Sequence, residues 1–412
     1  MGEGIKKPMV TNAISMAAYQ GVNALLPLVA VPFLFRQLGD EFFGLYSFAW
    51  ATVQILVMIT DFGFNLSATK YISSHKGHTK VINRYLNGAF ISRILLGILC
   101  LAALLVMVTY IKPFNENPTF FLLFFGVVVG NVMFPMWFFQ GIEKMKYITI
   151  FNIVAKLVTF IPIFIVIRTP ADFLMIPVFF SIGYILAGVI SLYFIYKKEG
   201  MKWFFPAFKE VKAIMKDSST YFLSRISVTA FTRVNVLVLG MASGSMIPVS
   251  FYSRAETLYK AYNLLISPIT DVIFPHMANT KDVPFFKKLF YTVMKINVPV
   301  VILVLVFAGP LFHLLYADAS IESVNVFRIL MIGCLITIPS MMLGYPFLAA
   351  LGHASYTNMT IVITSVVHIC GVFLLYGLGF LSIYSMAAMV VFSESLLFFF
   401  RVRKVAKLKL FK

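Results

Sequence analysis

Charge is scarce in this chain: Asp, Glu, Lys and Arg make up 12% of its 412 residues, about half the share found in water-soluble domains. Acidic residues are the scarcer sign, 16 against 34 Lys and Arg. Cysteine is nearly absent. Cys100, Cys334 and Cys370 all fall in apolar stretches, an odd and scattered trio that excludes a disulfide framework and metal-ligand spacing. His75 and His78 stand three apart on a polar loop with no carboxylate or Cys beside them, so they read as a solvated pair and no metal is expected. No clustered nucleophile or Gly-rich phosphate motif occurs, so the chain does not read as an enzyme and no cofactor is expected.

What the chain has in excess is apolar surface. Hydrophobic residues reach 60%, Phe alone occurs 44 times, and mean hydropathy is +0.91. A bilayer must be the solvent for most of such a chain. In a soluble protein the net charge of +18 would suggest a nucleic-acid partner. Here the basic residues stand at the edges of apolar runs, where topology accounts for them, and no nucleic acid is expected.

Runs of about twenty apolar residues place spans near 10–35, 43–63, 81–110, 119–139, 148–167 and 174–196. Six more follow near 218–240, 248–276, 289–316, 323–350, 357–376 and 382–400. The first run has no small-residue cleavage site and is long enough to cross, so it reads as a helix rather than a signal peptide. Taking the termini and alternate breaks, 22 Lys and Arg lie on one side and 3 on the other. Basic residues mark the cytoplasmic side, so both termini are expected there, in a multi-pass inner-membrane protein.

The fold class expected is therefore all-α and polytopic, with about twelve transmembrane helices. The basic break in the middle divides it into an N-terminal six-helix bundle (1–200), a cytoplasmic linker (201–217) and a C-terminal six-helix bundle with a basic tail (218–412). A shift of 206 residues lays Leu45-Tyr46-Ser47-Phe48-Ala49 on Phe251-Tyr252-Ser253-Arg254-Ala255. The stripe Asn12, Ser15, Tyr19 and Asn23 of the first span then falls on Ser218, Tyr221, Arg225 and Thr229 of the seventh. Two halves starting on the same side imply a parallel repeat about an axis along the membrane normal, with a substrate site expected between the halves.

Five basic residues lie too deep for the membrane edge: Arg93, Lys156, Arg225, Arg233 and Lys260. At about 2.5–3.5 kcal/mol each they would cost on the order of 15 kcal/mol if they faced lipid, so a wet cavity or a partner is required. Glu256 can pair with Lys260 one turn away, and Glu394 and Asp61 are other carboxylates at depth. Each of the three is a candidate for ion coupling, though an ordinary ion pair is the simpler reading. Cations still outnumber acids, which selects an anion, and Arg forks suit phosphate oxygens. Candidate substrate-binding residues are Arg225, Arg233, Lys260, Arg93, Lys156, Tyr221 and Asn23. Arg254 falls on another face near the outer end, where snorkelling is expected. Pro27 and Pro32 lie one turn past the first-span polar stripe, a place for bending.

Three motifs carry a family resemblance: Leu38-Gly39 with Phe43-Gly44-Leu45-Tyr46, Asp61-Phe62-Gly63-Phe64 leading to Ser67-Ala68-Thr69-Lys70, and Trp137-Phe138-Phe139-Gln140-Gly141-Ile142-Glu143-Lys144. With these, the chain resembles the Wzx-type O-antigen flippases of the multidrug/oligosaccharidyl-lipid/polysaccharide exporter superfamily. The resemblance covers the whole chain. It implies an undecaprenyl-pyrophosphate oligosaccharide as substrate, alternating access around a basic central cavity, and polysaccharide polymerase machinery as a candidate partner. The motif residues themselves are expected to shape cytoplasmic ends rather than bind sugar. A multidrug exporter of the same superfamily would call for an acidic cavity. A polymerase or ligase would carry a large periplasmic loop, and no outer break here exceeds about eight residues.

Overall fold

The first helix, α1 (Glu3–Asp61), is 59 residues long and leaves helical geometry at Gly39 (φ 70°, ψ −178°). At 1.5 Å per residue it would measure about 88 Å if straight, far beyond a hydrocarbon layer of about 30 Å. It is therefore two crossings joined at Gly39, inside the break expected at 36–42, in a backbone conformation that only glycine adopts at low cost. The computed structural model describes residues 3–411 except 319. The side chains of 3–14, 17, 24, 223–225, 227–230, 267, 268 and 271 lie outside that description.

The remaining helices follow in order: α2 (Phe64–Ser74), α3 (Thr79–Tyr110), α4 (Pro118–Met133), α5 (Met136–Gly141), α6 (Met145–Val166) and α7 (Met175–Tyr193), then α8 (Phe208–Ala242), α9 (Ile247–Thr280), α10 (Val283–Val306), α11 (Ala308–Tyr316), α12 (Ile321–Met342), α13 (Ala354–Gly377) and α14 (Ile383–Lys407). No strand occurs among the described residues. Eight stretches of the described residues are long and apolar enough to cross a membrane, and two of these, Ala18–Ser74 and Ile321–Gly377, are 57 residues long. Each of those two makes two crossings by the same length argument, the second broken at Gly352 (φ 95°). The charged helices α8 and α9, at 35 and 34 residues, are long enough to cross as well, which brings the number to the twelve expected.

The chain divides into two compact units. Unit 1 comprises residues 1–30 and 49–229, and unit 2 comprises 31–48 and 230–412. This differs from the division expected at 201–217, because α8 begins at Phe208 inside the expected linker and its first 22 residues group with unit 1. The turn of α1 around Gly39 groups with unit 2.

In unit 1, α4 lies tightly along α7. A Cβ at Gly126 would meet Ser181, and one at Gly130 would meet the backbone of Tyr184. This small-residue spacing lets two backbones approach where no water is available to drive helices together. Buried rings of Phe120, Phe124 and Phe180 fill the remaining space.

Unit 1 ends in a second cluster built by the two later motifs. Phe62 (φ 43°) and Gly63 (φ 80°) turn the chain from α1 into α2. Trp137, Phe138 and Phe139 on α5 are fully buried against Phe64, Ala68, Ile72 and Ile82. Gln140 accepts from Thr69 at 3.3 Å, and Lys76 bonds Glu143 at 2.6 Å. These residues pack and tie together one end of the bundle.

Candidate substrate-binding cluster

On α9 the polar residues Tyr252, Glu256 and Lys260, each one turn from the next, separate into two kinds. Tyr252 is fully buried and accepts from Asn235 Nδ2 at 2.8 Å. Asn235 Oδ1 lies 3.0 Å from His368 Nε2, and His368 Nδ1 lies 2.8 Å from Ser393 Oγ. A chain of four polar groups thus ties α8, α9, α13 and α14 together in the interior of unit 2. Such a network is tolerated in an apolar interior only when its members satisfy one another. Asn235 and His368 were missed in the sequence, where each is a lone polar residue in an apolar run.

One turn on from Tyr252, Glu256 Oε2 and Lys260 Nζ stand 2.7 Å apart, the pair expected from their spacing. Glu256 is mostly buried and Lys260 about half exposed. Arg233 on α8 is half-buried and close enough for its charge to act on Lys260. Among the described residues, two cations and one carboxylate therefore share this patch, a local excess of one positive charge. The side chains of Arg225, Ser267 and Asp271 lie outside the described residues.

In unit 1, Asn23 Nδ2 donates to Tyr19 O at 2.8 Å and to Asn152 Oδ1 at 3.4 Å. Lys156, one turn beyond Asn152 on α6, lies over the rings of Phe160 and Tyr184 at 5.7 and 5.8 Å. Asn23 and Lys156 therefore border one polar patch, to which Asn152 and Tyr184 also belong. Tyr221 is placed elsewhere, beside the Gly63 turn.

Arg93 is fully buried and bonds Asn131 O and Oδ1, both at 2.8 Å, and Phe134 O at 3.5 Å. It satisfies carbonyls released where the helix breaks between α4 and α5 at Pro135. Arg401 does the same in unit 2, donating to Ser340 O at 2.6 Å beside the widened turns Leu343–His353. Interrupted helices survive at membrane depth only where their carbonyls find donors, and both arginines supply them. The position of Arg93 is thus structural here rather than open to a ligand. Asp61 and Arg93 lie within each other's field, as do Glu394 and Arg401. Each of the three expected coupling carboxylates, Glu256 included, accordingly has a cation as neighbour.

The expectation for Arg254 is corrected. It does not snorkel: its side chain is 0% exposed and bridges Asp40 and Asp318, each at 2.8 Å. Its guanidinium also stacks on Phe35 at 3.9 Å to the ring centre. Helical spacing placed Arg254 on a face away from Glu256 and Lys260, but it gave no sign that the turn of α1 supplies a carboxylate and a ring to that face.

Helices of this number, with glycine breaks and buried cations, make up a polytopic membrane fold. Solved structures share it. A lipid II flippase MurJ in an inward closed conformation superposes with a TM-score of 0.72 over 96% of this chain and 87% of its own, at 14% identity. An inward-facing MATE-family multidrug resistance transporter superposes with a TM-score of 0.69 over 93% and 95%, also at 14% identity. The profile of the family described as polysaccharide biosynthesis protein matches residues 9–281, and the chain belongs to that family. A candidate O-antigen transporter of Escherichia coli (strain K12) is 30% identical over 269 residues, a match spanning 65% of either chain. One of Shigella dysenteriae is 27% identical over 402 residues, 96% of this chain and all of its own. The protein is a membrane transporter of polysaccharide biosynthesis.

Proposed function

We propose that this protein flips an undecaprenyl-pyrophosphate-linked O-antigen or similar polysaccharide repeat unit from the cytoplasmic to the periplasmic leaflet of the inner membrane. The observation that carries this reading is the excess of positive charge where Arg233 lies within the field of the Lys260–Glu256 pair. An anionic diphosphate offsets such a charge, whereas a cationic drug would add to it. The names of the E. coli and Shigella relatives support the substrate class. Alternating access, a basic central cavity and a handover to polysaccharide polymerase machinery belong to the proposal through the family resemblance. The distribution of Lys and Arg supports a cytoplasmic position for both termini as part of this proposal.

The test is complementation of a strain lacking its O-antigen flippase. Lys260→Glu should abolish surface O-antigen while leaving membrane abundance normal, because reversed charge repels a diphosphate at close range. Export retained at the wild-type level would return Lys260 to a structural role.

A further inference from the structure

Residues 197–216, which run from the end of α7 into α8, have a composition the transport reading does not use. Within them stand Trp203, Phe204, Phe205 and Phe208, and six lysines: Lys197, Lys198, Lys202, Lys209, Lys212 and Lys216. All ten of these side chains are exposed, Phe205 and Phe208 by more than three quarters. We propose that this strap is a membrane-surface anchor, its aromatic rings seated in the headgroup region and its lysines bound to anionic phospholipid.

The strap is not loose chain. Lys202 N donates to Asn83 Oδ1 at 3.0 Å, and Asn87 Nδ2 donates to Lys202 O at 3.0 Å. Both asparagines lie in the first turns of α3. That helix has 32 residues, about 48 Å, so it outreaches a hydrocarbon layer of about 30 Å by roughly 9 Å at each end. Asn83 stands about 6 Å and Asn87 about 12 Å from the start of α3, so a segment bonded to both lies at the boundary between headgroups and hydrocarbon, where Trp and Lys side chains partition.

The charges are sorted within the strap. Glu199 turns inward and bonds Lys144 at 2.7 Å, and Glu210 bonds Arg84. Two of its acidic groups are spent on holding the segment in place, while its lysines face outward. A surface with the carboxylates turned in and the ammonium groups turned out complements an anionic leaflet. Trp203 stands edge-on to Tyr196 and Phe205, at 6.2 and 5.7 Å between centres, so the rings act as one patch. Residues 201–207 have no helical turn, which suits a chain lying along the interface rather than crossing it.

The experiment uses the whole protein in nanodiscs of phosphatidylcholine, with and without phosphatidylglycerol. Trp203→Phe keeps an aromatic ring, and its difference from wild type isolates Trp203 emission from that of Trp50 and Trp137. Lipid brominated high on the acyl chain should quench that difference signal roughly twofold or more beyond quenching by aqueous iodide. Phosphatidylglycerol should lower the iodide quenching further. Replacing Lys202, Lys209, Lys212 and Lys216 by Gln should remove that lipid dependence. Iodide quenching without bromine quenching would overturn the proposal, leaving the strap in water and open to a protein partner. A lipid dependence that survives the Lys→Gln changes would overturn the role of the lysines.

Discussion

Arg254 Nη2 stands 2.8 Å from Asp40 Oδ1, across 214 residues of sequence, while its Nη1 reaches Asp318 at the same distance. One fully buried guanidinium thus joins the turn of α1 to the segment after α11 within unit 2. Around it, Ser250 donates to Asp40 at 2.7 Å, and Glu41 accepts from Met246 N at 3.0 Å. The planar fork serves two carboxylates at once, which an ammonium group on a single stem cannot do.

Removing that fork should be costly. Arg254→Ala leaves two carboxylates facing each other, and breaking a buried pair costs about 3–5 kcal/mol. Asp40 and Asp318 are 33% and 40% exposed, so about 2–3 kcal/mol is the expected loss here. Thermal melting in detergent should rank wild type above Arg254→Lys and Arg254→Lys above Arg254→Ala. Adding Asp40→Asn to the Ala variant should recover part of the loss, and no recovery would mean that charge is not the cause.

Gly63 is held by two independent constraints. Its φ of 80° disfavours any side chain, and an added Cβ would lie 2.8 Å from Ser218 O and Phe222 N. Backbone cannot swing aside as a side chain can. Gly63→Ala should lower stability by roughly 2–4 kcal/mol, combining backbone strain with overpacking. Gly77 has φ 91° but open space around it, so Gly77→Ala should cost only about 1 kcal/mol. Equal melting temperatures for the two variants would remove the packing part of the account.

Arg233 separates charge from geometry. If it grips a diphosphate through its fork, Arg233→Lys keeps the field but loses the paired hydrogen bonds. Partial loss of transport is expected in vesicles reconstituted with lipid-linked substrate, and a larger loss in Arg233→Ala. Full activity of the Lys variant beside an inactive Ala variant would mean that charge alone matters.

The orientation has its own readout. Reporter fusions after Met246 and after Ala317 should report periplasm, and one after Lys404 cytoplasm, because 22 basic residues lie on one set of segments and 3 on the other. A periplasmic C-terminus would contradict the assignment and, with it, the proposed direction of transport.

Hydropathy alone determined that the chain is an all-helical membrane protein with about twelve crossings, since twenty apolar residues in a row have few other stable fates. The 3.6-residue period also determined the Glu256–Lys260 pair, because partners one helical turn apart need no tertiary information. The turn at Gly39 and the buried ends built by Gly63 and Trp137 were marked by their motifs. Only the tertiary structure decided what the described buried arginines touch. Arg93 reaches carbonyls 38 and 41 residues away, Arg401 reaches one 61 residues away, and Arg254 bridges carboxylates on segments far apart in sequence. Periodicity assigns a residue to a face of its own helix, but the partner across that face is set by which helix packs there. For that reason two arginines of similar depth, Arg93 and Arg233, read alike in sequence and differ in the fold. One caps the carbonyls of a broken helix, and the other adds its charge to the patch at Lys260.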